Sequence, residues 1–256
     1  MNSAVSTGQV QIIKEGVLGR IRFFHPAHNS MPGYLLAELS SAIETAGADE
    51  QLRVLILESE GEKTFCAGAS FDELASIRDL STGIQFFSGF ARVINAMRKC
   101  PKFILGRIQG KAIGGGVGLA AATDYCAATA SASVKLSELA VGIGPFVVGP
   151  AVERKMGKAA YAQLAIDATN WQSADWAMRN GLFQAVLPDI SSLDEHLLQL
   201  AQTLGNSSPD AMRQLKAVIW EDTAHWDTLL SQRAAISGEL VLTPFAKNAI
   251  AAFKQK

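Results

Sequence analysis

The chain has 256 residues, 48% of them hydrophobic and 18% charged, which supports one substantial buried core and excludes collagen-like, coiled-coil and disordered classes. Its 23 basic and 24 acidic residues leave a formal net charge of −1, so no global field attracts nucleic acid or an anionic membrane. An anionic ligand would have to be met by a few local cations or by backbone N–H groups.

Two apolar runs, 10–13 and 17–24, alternate roughly and flank a glycine-containing turn, which predicts an opening hairpin. Beyond His25-Pro26, the residues Leu35, Leu36, Leu39 and Ile43 recur at helical spacing behind Pro32, and 53–58 is a short β-branched run that reads as a buried strand. This α/β rhythm repeats with a helix over about 84–98 and a strand at Phe103-Ile104-Leu105. After Asp124 come strand-like pieces at 125–128 and 134–136. From about Val152 helical patterns dominate, over 158–166, 173–180, 193–204 and 209–220, with a last helix ending Ala251-Ala252-Phe253. Strands early and helices late predict an α/β core over residues 1–192 and a helical region over 193–256. There is no fixed-period repeat, and 205–209 reads as a helix–helix turn.

Cys66, Cys100 and Cys126 form no CxxC or Cys/His ligand spacing, and their odd number fits a reducing cytoplasm. The first eight residues lack a basic and an apolar region, and the longest uncharged small-apolar run, 112–122, is 11 residues. Neither a signal peptide nor a membrane span is expected. The four histidines, His25, His28, His196 and His225, show no metal or Ser/His/Asp spacing.

The densest unusual feature is Gly114-Gly115-Gly116-Val117-Gly118 running into an alanine-rich helical pattern. Such a stretch either lets a ligand approach backbone N–H groups at a helix start or makes a tight turn with close helix packing. Residues 116–121 formally match the dinucleotide pattern G-x-G-x-x-A, with Glu138 at 22 residues from Gly116, but Gly110 and Lys111 interrupt the strand that should feed the first glycine. Residues 106–111 are one residue short of a phosphate-loop spacing, and Ala112 cannot supply a magnesium-binding hydroxyl. A second small-residue turn, Cys66-Ala67-Gly68-Ala69-Ser70, also follows a strand and leads into a helix. Together the two turns could offer two backbone N–H donors to one oxygen, as an enolate or other oxyanion requires.

This pairing resembles the crotonase superfamily, the enoyl-CoA hydratase/isomerase family. Its first oxyanion turn has an A-G-A-D pattern, here Ala67-Gly68-Ala69-Ser70, and its second an A-x-G-G-G-x-E-L-A pattern, here Ala112 through Ala120. Further matches follow in order along nearly the whole chain: Asn29-Ser30 near the family's N-A, Asp124 at its structural aspartate, 135–145 at F-x-x-P-E-x-x-x-G-x-x-P, Asn180-Gly181-Leu182 at A-G-L, and Ala252-Phe253 at the terminal A-F. The resemblance implies an α/β fold, a spiral of ββα units with a C-terminal helical region used to assemble homotrimers or dimers of trimers.

It also implies roles. The backbone N–H groups of Ala69 and Gly115 would hold a thioester oxygen and stabilise its enolate. Ala67, Gly68, Gly114, Gly118 and Phe71 would surround the substrate, and Phe253 and Lys256 match terminal positions that help hold the adenine and phosphates of coenzyme A. Two-carboxylate hydratases carry acids at the positions matching 118 and 138, which here are Gly118 and Glu138. One acid is missing. A single carboxyl can take a proton from one carbon of an enolate and return it to another, and the apolar run Leu139-Ala140-Val141 would raise its pKa toward the operating range. The implied activity is hydration/dehydration or double-bond isomerisation of an enoyl thioester of coenzyme A or acyl carrier protein, in the cytoplasm. It would need no metal or redox cofactor, coenzyme A entering as part of the substrate. The absent acid also suggests a non-catalytic acyl-CoA-binding protein of the same fold, and a decarboxylase of a polyketide-type carrier thioester is a further alternative.

Overall fold

The computed structural model describes residues 7–254. The expected hairpin forms from β1 (Gln9–Glu15) and β2 (Leu18–Phe24), which pair antiparallel across Gly16 at a φ of 61°, a left-handed value open to glycine. After β3 (Ser30–Met31), α1 (Gly33–Ala48) starts behind Pro32 and buries the predicted stripe of Leu35, Leu36, Leu39 and Ile43.

Three similar steps follow. In the first, β4 (Val54–Ser59) leads to β5 (Thr64–Cys66) and β6 (Gly68–Ala69), then to α2 (Phe71–Ser76) and α3 (Leu80–Lys99). In the second, β7 (Phe103–Ile108) leads to β8 (Lys111–Ile113) and α4 (Gly115–Ala121). In the third, β9 (Tyr125–Thr129) leads to β10 (Ser133–Lys135), a single 3₁₀ turn at Leu139–Val141 and α5 (Gly149–Ile166). Then come β11 (Gln172–Ser173), α6 (Ala174–Arg179) and β12 (Ala185–Leu187). In every step the longer strand joins a six-stranded sheet of order β1-β2-β4-β7-β9-β12, and the shorter joins a four-stranded sheet of order β11-β10-β8-β5. The chain therefore passes from one sheet to the other three times, the spiral of ββα units that the resemblance implies.

The final helices are α7 (Ile190–Gly205), α8 (Pro209–Ile219), α9 (Trp226–Leu240) and α10 (Pro244–Lys254). Side chains alternate across a strand, and the six-stranded sheet is covered on both faces. Leu55 and Leu57 of β4 enter the main core with α1, α3, α4 and α5. Val54 and Ile56 enter a second core with Leu193, Leu197 and Ala201 of α7. Burial of Leu193 and of Leu197 contributes roughly 1.5–3 kcal/mol each, so α7, which spans position 192/193, is packed as part of the sheet's second layer.

Two helical segments differ from the expected pattern. α5 begins well before the 158–166 stretch, because Gly157 at φ 78° kinks two helical pieces together. The second is α9, which no apolar periodicity predicts. All three cysteines are free and buried. Among the described residues, no helix is long and apolar enough to cross a membrane.

Candidate active site

The two small-residue turns lie directly against each other. Gly68 has a φ of 82°, and a β-carbon there would come 2.6 Å from the Ile113 carbonyl oxygen and 3.2 Å from the Gly115 nitrogen. A β-carbon on Gly116 would come 2.5 Å from the Cys66 carbonyl oxygen. Glycine is therefore required for this approach of backbone to backbone, and the approach sets Ala69, at the end of β6, beside Gly115, the first residue of α4. The first N–H groups of a helix have no partner in its own ladder. The first turn is also held from the other side: β3 pairs with β6 in the register Met31↔Ala69, and Asn29 Nδ2 donates to the carbonyls of Glu60 at 2.8 Å and Thr64 at 3.0 Å.

Glu138 closes on the second turn. Gly114 adopts a φ of 52°, and a β-carbon on it would lie 3.0 Å from Glu138 Oε1, so the glycine leaves the space that the carboxyl occupies. Although Glu138 as a residue is half-buried, its Oε2 is sealed from solvent and has no hydrogen-bond partner among the described residues. Burial pushes this carboxyl up to about 7, with a backbone hydrogen bond opposing the shift. Tyr161 of α5 lies within its field: the phenol is raised first by burial and then by the charge of Glu138.

Gly118 is placed differently from a substrate contact. It lies within α4 beneath Val148, where a β-carbon would come 2.4 Å from Val148 Cγ1, and Val148 is itself buried. A second carboxylate has no room at this position while Val148 stands there. Neither Val148 nor Tyr161 carries a local sequence signal, since each reaches the site only through the packing of the segment after Glu138.

A cleft of about 860 Å³ runs up to the two turns. Its lining includes Ala67, Ala69, Phe71, Asp72 and Phe253 together with Lys111, Ile113, Lys135 and Trp171. Gly114, Gly115 and Glu138 are not among its lining residues; Gly114 and Glu138 directly follow the lining residues Ile113 and Ser137 in the chain. Phe71 and Phe253, far apart in sequence, stack with ring centroids 4.2 Å apart and planes 19° from parallel. Lys256 lies outside the described residues. Nothing in the sequence singles out the two lysines and Trp171, which no periodicity links.

Two histidines serve local structure, while His28 lines the cleft. His25 Nδ1 meets the Ser30 hydroxyl at 3.0 Å and accepts from the Ala27 N–H at 3.2 Å, and His196 Nε2 meets the Tyr125 hydroxyl at 2.9 Å. Among the described residues, no group of three or more His, Cys, Asp or Glu side chains is placed to hold a metal ion. Asp124 instead accepts from the Ile104 N–H, the Lys216 ammonium and the Trp220 indole N–H.

The family model described as enoyl-CoA hydratase/isomerase matches residues 13–255. The chain is 31% identical to the mitochondrial methylglutaconyl-CoA hydratase of Rattus norvegicus over 89% of its own length and 73% of the relative's. It is 28% identical to the short-chain-enoyl-CoA hydratase of Clostridium acetobutylicum over 95% of its own length and 93% of the relative's. A solved enoyl-CoA hydratase from Bacillus halodurans superposes with a TM-score of 0.88 at 19% identity, covering 95% of this chain and 99% of that one, a likeness of fold.

Proposed function

The chain belongs to the enoyl-CoA hydratase/isomerase family, and on that premise we propose that it shifts the double bond of an enoyl thioester with one carboxyl as the proton shuttle. One observation carries this reading: a buried carboxyl with an unpartnered oxygen rests on the oxyanion turn, while the position for a second acid is closed by Val148.

The thioester carbonyl oxygen accepts hydrogen bonds from the Ala69 and Gly115 N–H groups, which stabilise the negative charge that grows there as the enolate forms. Glu138 in its carboxylate form removes a proton from the carbon chain, giving the enolate and a neutral carboxyl. The same proton is returned to a different carbon of the conjugated enolate, and the double bond moves. A carboxyl poised near neutrality serves both halves, because neither its acid nor its base form is strongly disfavoured. Hydration of the double bond demands more, since a water must be held and activated while the neighbouring carbon is protonated, and two carboxyls divide that work more readily than one. The proposed chemistry uses no metal and no redox cofactor.

The test is proton exchange in deuterated water with 2-enoyl and 3-enoyl thioesters, with products identified. Deuterium incorporation with double-bond migration is expected, and Glu138→Gln should lower turnover by roughly 10²- to 10⁴-fold. Because the reaction starts from the ionised carboxyl, kcat/KM should rise with pH through about 7 and then level. Absence of exchange with every thioester would instead favour the non-catalytic acyl-CoA-binding reading, which the closed position at Gly118 also suits.

A further inference from the structure

The open part of the cleft gathers two cations on one indole. Lys111 Nζ lies 5.1 Å and Lys135 Nζ 4.6 Å from the centroid of the Trp171 ring. β8 and β10 are parallel neighbours in the register Lys135↔Ile113, and β5 pairs with β8 through Thr64↔Lys111. Residues two apart on a strand share a face, so Thr64, Lys111, Ile113 and Lys135 form one floor of the cleft. Trp171 stands at its edge, just ahead of β11, which pairs with β10. The indole face attracts each ammonium, but it does not neutralise either charge. No carboxylate forms an ion pair with Lys111 or Lys135 among the described residues. Asp72 also lines the cleft but forms no ion pair with either lysine, and two like charges held on one ring in a cleft make a site for an anion.

The cleft's direction says which anion. Ala69, Ile113 and Ser137 line the cleft, next in the chain or through the packed turns to Gly115 and the buried carboxyl of Glu138, and on the proposed reading the reacting carbons lie at that point. Lys111 sits two residues, about 7 Å, back along β8 from Ile113, on the exposed side of that point. The part of the substrate left in the open cleft is the carrier arm. We propose that Lys111 and Lys135, organised by Trp171, clamp the phosphate that ends the pantetheine arm of the thioester carrier. These cations gather on Trp171 and not on the stacked Phe71 and Phe253, and they are different residues from the C-terminal positions matched by the family's adenine and phosphate contacts.

The proposal rests on the thioester reading, and the test separates the two. The parent, Lys111→Ala, Lys135→Ala, the double variant and the charge-retaining Lys135→Arg are each assayed with one acyl group on coenzyme A, on 4′-phosphopantetheine and on pantetheine. Loss of both lysines should raise KM for the coenzyme A thioester roughly ten- to a hundredfold, the scale of charge-assisted contacts. KM for the pantetheine thioester, which has no phosphate, should move less than about twofold. Lys135→Arg should retain most of the preference for the phosphorylated carriers. Trp171→Leu, which removes only the positioning ring, should cost about two- to fivefold on coenzyme A alone. If the phosphopantetheine thioester shows the full loss, the clamp reads the single phosphate shared by coenzyme A and an acyl carrier protein. If only coenzyme A does, the lysines read a group beyond that phosphate, and the assignment to the arm's terminal phosphate is overturned. Equal KM changes on all three carriers would overturn the clamp while leaving the enzyme reading intact. Should no thioester turn over, calorimetric titration with free coenzyme A and with pantetheine decides alone: a preference for coenzyme A that survives removal of both lysines would refute the proposal.

Discussion

Glu138 is held in a place that favours its neutral form, and this has a consequence for stability as well as for chemistry. Burial raises its folded-state pKa from an ordinary 4.5 to about 7. Between those values the folded chain keeps a proton that the unfolded chain releases. The sign is therefore fixed: below about pH 4.5 the group is neutral in both states and costs nothing, and as pH rises toward 7 the folded state loses stability relative to the unfolded, up to about 3 kcal/mol. In Glu138→Gln this dependence should vanish. Urea unfolding at pH 5 and pH 8 measures it: the change in stability between the two should differ between parent and variant by about 2–3 kcal/mol, whatever constant offset the amide introduces. An identical change in both proteins would show that the carboxyl titrates as if exposed. Glu138 and the glycines were legible in the sequence because residue type and spacing are nearly all their roles require, a carboxyl in an apolar run and backbone without side chains. Val148 was not, since it matters only through contact with Gly118 at 2.4 Å from a β-carbon the chain does not have. The same holds for Lys111, Lys135 and Trp171, which lie on three different elements or their edges and meet through strand register alone.

Helix α9 shows what hides an element from a reading of pattern. Its buried positions include Ala234, Ser237 and Gly238, small residues that give no apolar stripe, and they are small because α9 crosses α3 closely. A β-carbon on Gly83 of α3 would come 2.9 Å from the Gly238 carbonyl oxygen. Helix α8 is tied to the core by a different device. Lys216 is buried to 3% exposure and its ammonium donates to Asp124 Oδ2 at 2.8 Å and to the carbonyls of Met97 at 3.0 Å and Lys102 at 2.8 Å. Asp124 follows the glycine helix and also receives the Ile104 N–H at 2.7 Å and the Trp220 indole N–H at 2.7 Å. The pair therefore links α8 to β7 and to the end of α3. Removing one partner of a buried ion pair leaves the other charged, unpaired and dry, which costs roughly 3–5 kcal/mol. Lys216→Ala should lower the unfolding free energy by that amount in urea denaturation. A surface pair on the same helix has no such lever: Arg213→Ala, which removes only an exposed pair with Asp210, should change it by less than about 1 kcal/mol. Equal effects from the two would mean that the buried pair adds nothing beyond a surface one.

For the whole molecule, the helices after β12 have two faces with different tasks. Inward, Leu193 and Leu197 complete the second layer of the six-stranded sheet and Lys216 reaches Asp124. Outward, α8 leaves Leu215, Val218 and Ile219 exposed at 54%, 60% and 42%, and their i, i+3, i+4 spacing puts them on one side of the helix. A contiguous apolar face of this kind is a surface that association would cover. The family resemblance implies trimers or pairs of trimers, which makes another copy of this chain the occupant to test, and the near-neutral formal charge of −1 sets little long-range repulsion against it. Val218→Asp places a charge at the centre of that face without touching the buried side of α8, so the fold should survive while the assembly does not. Sedimentation velocity should give a parent species of three or six times the 27.2 kDa chain mass and a Val218→Asp species of one, with matching far-ultraviolet circular dichroism. A variant that sediments with the parent would put the assembly surface elsewhere, and a monomeric parent would remove the need for one.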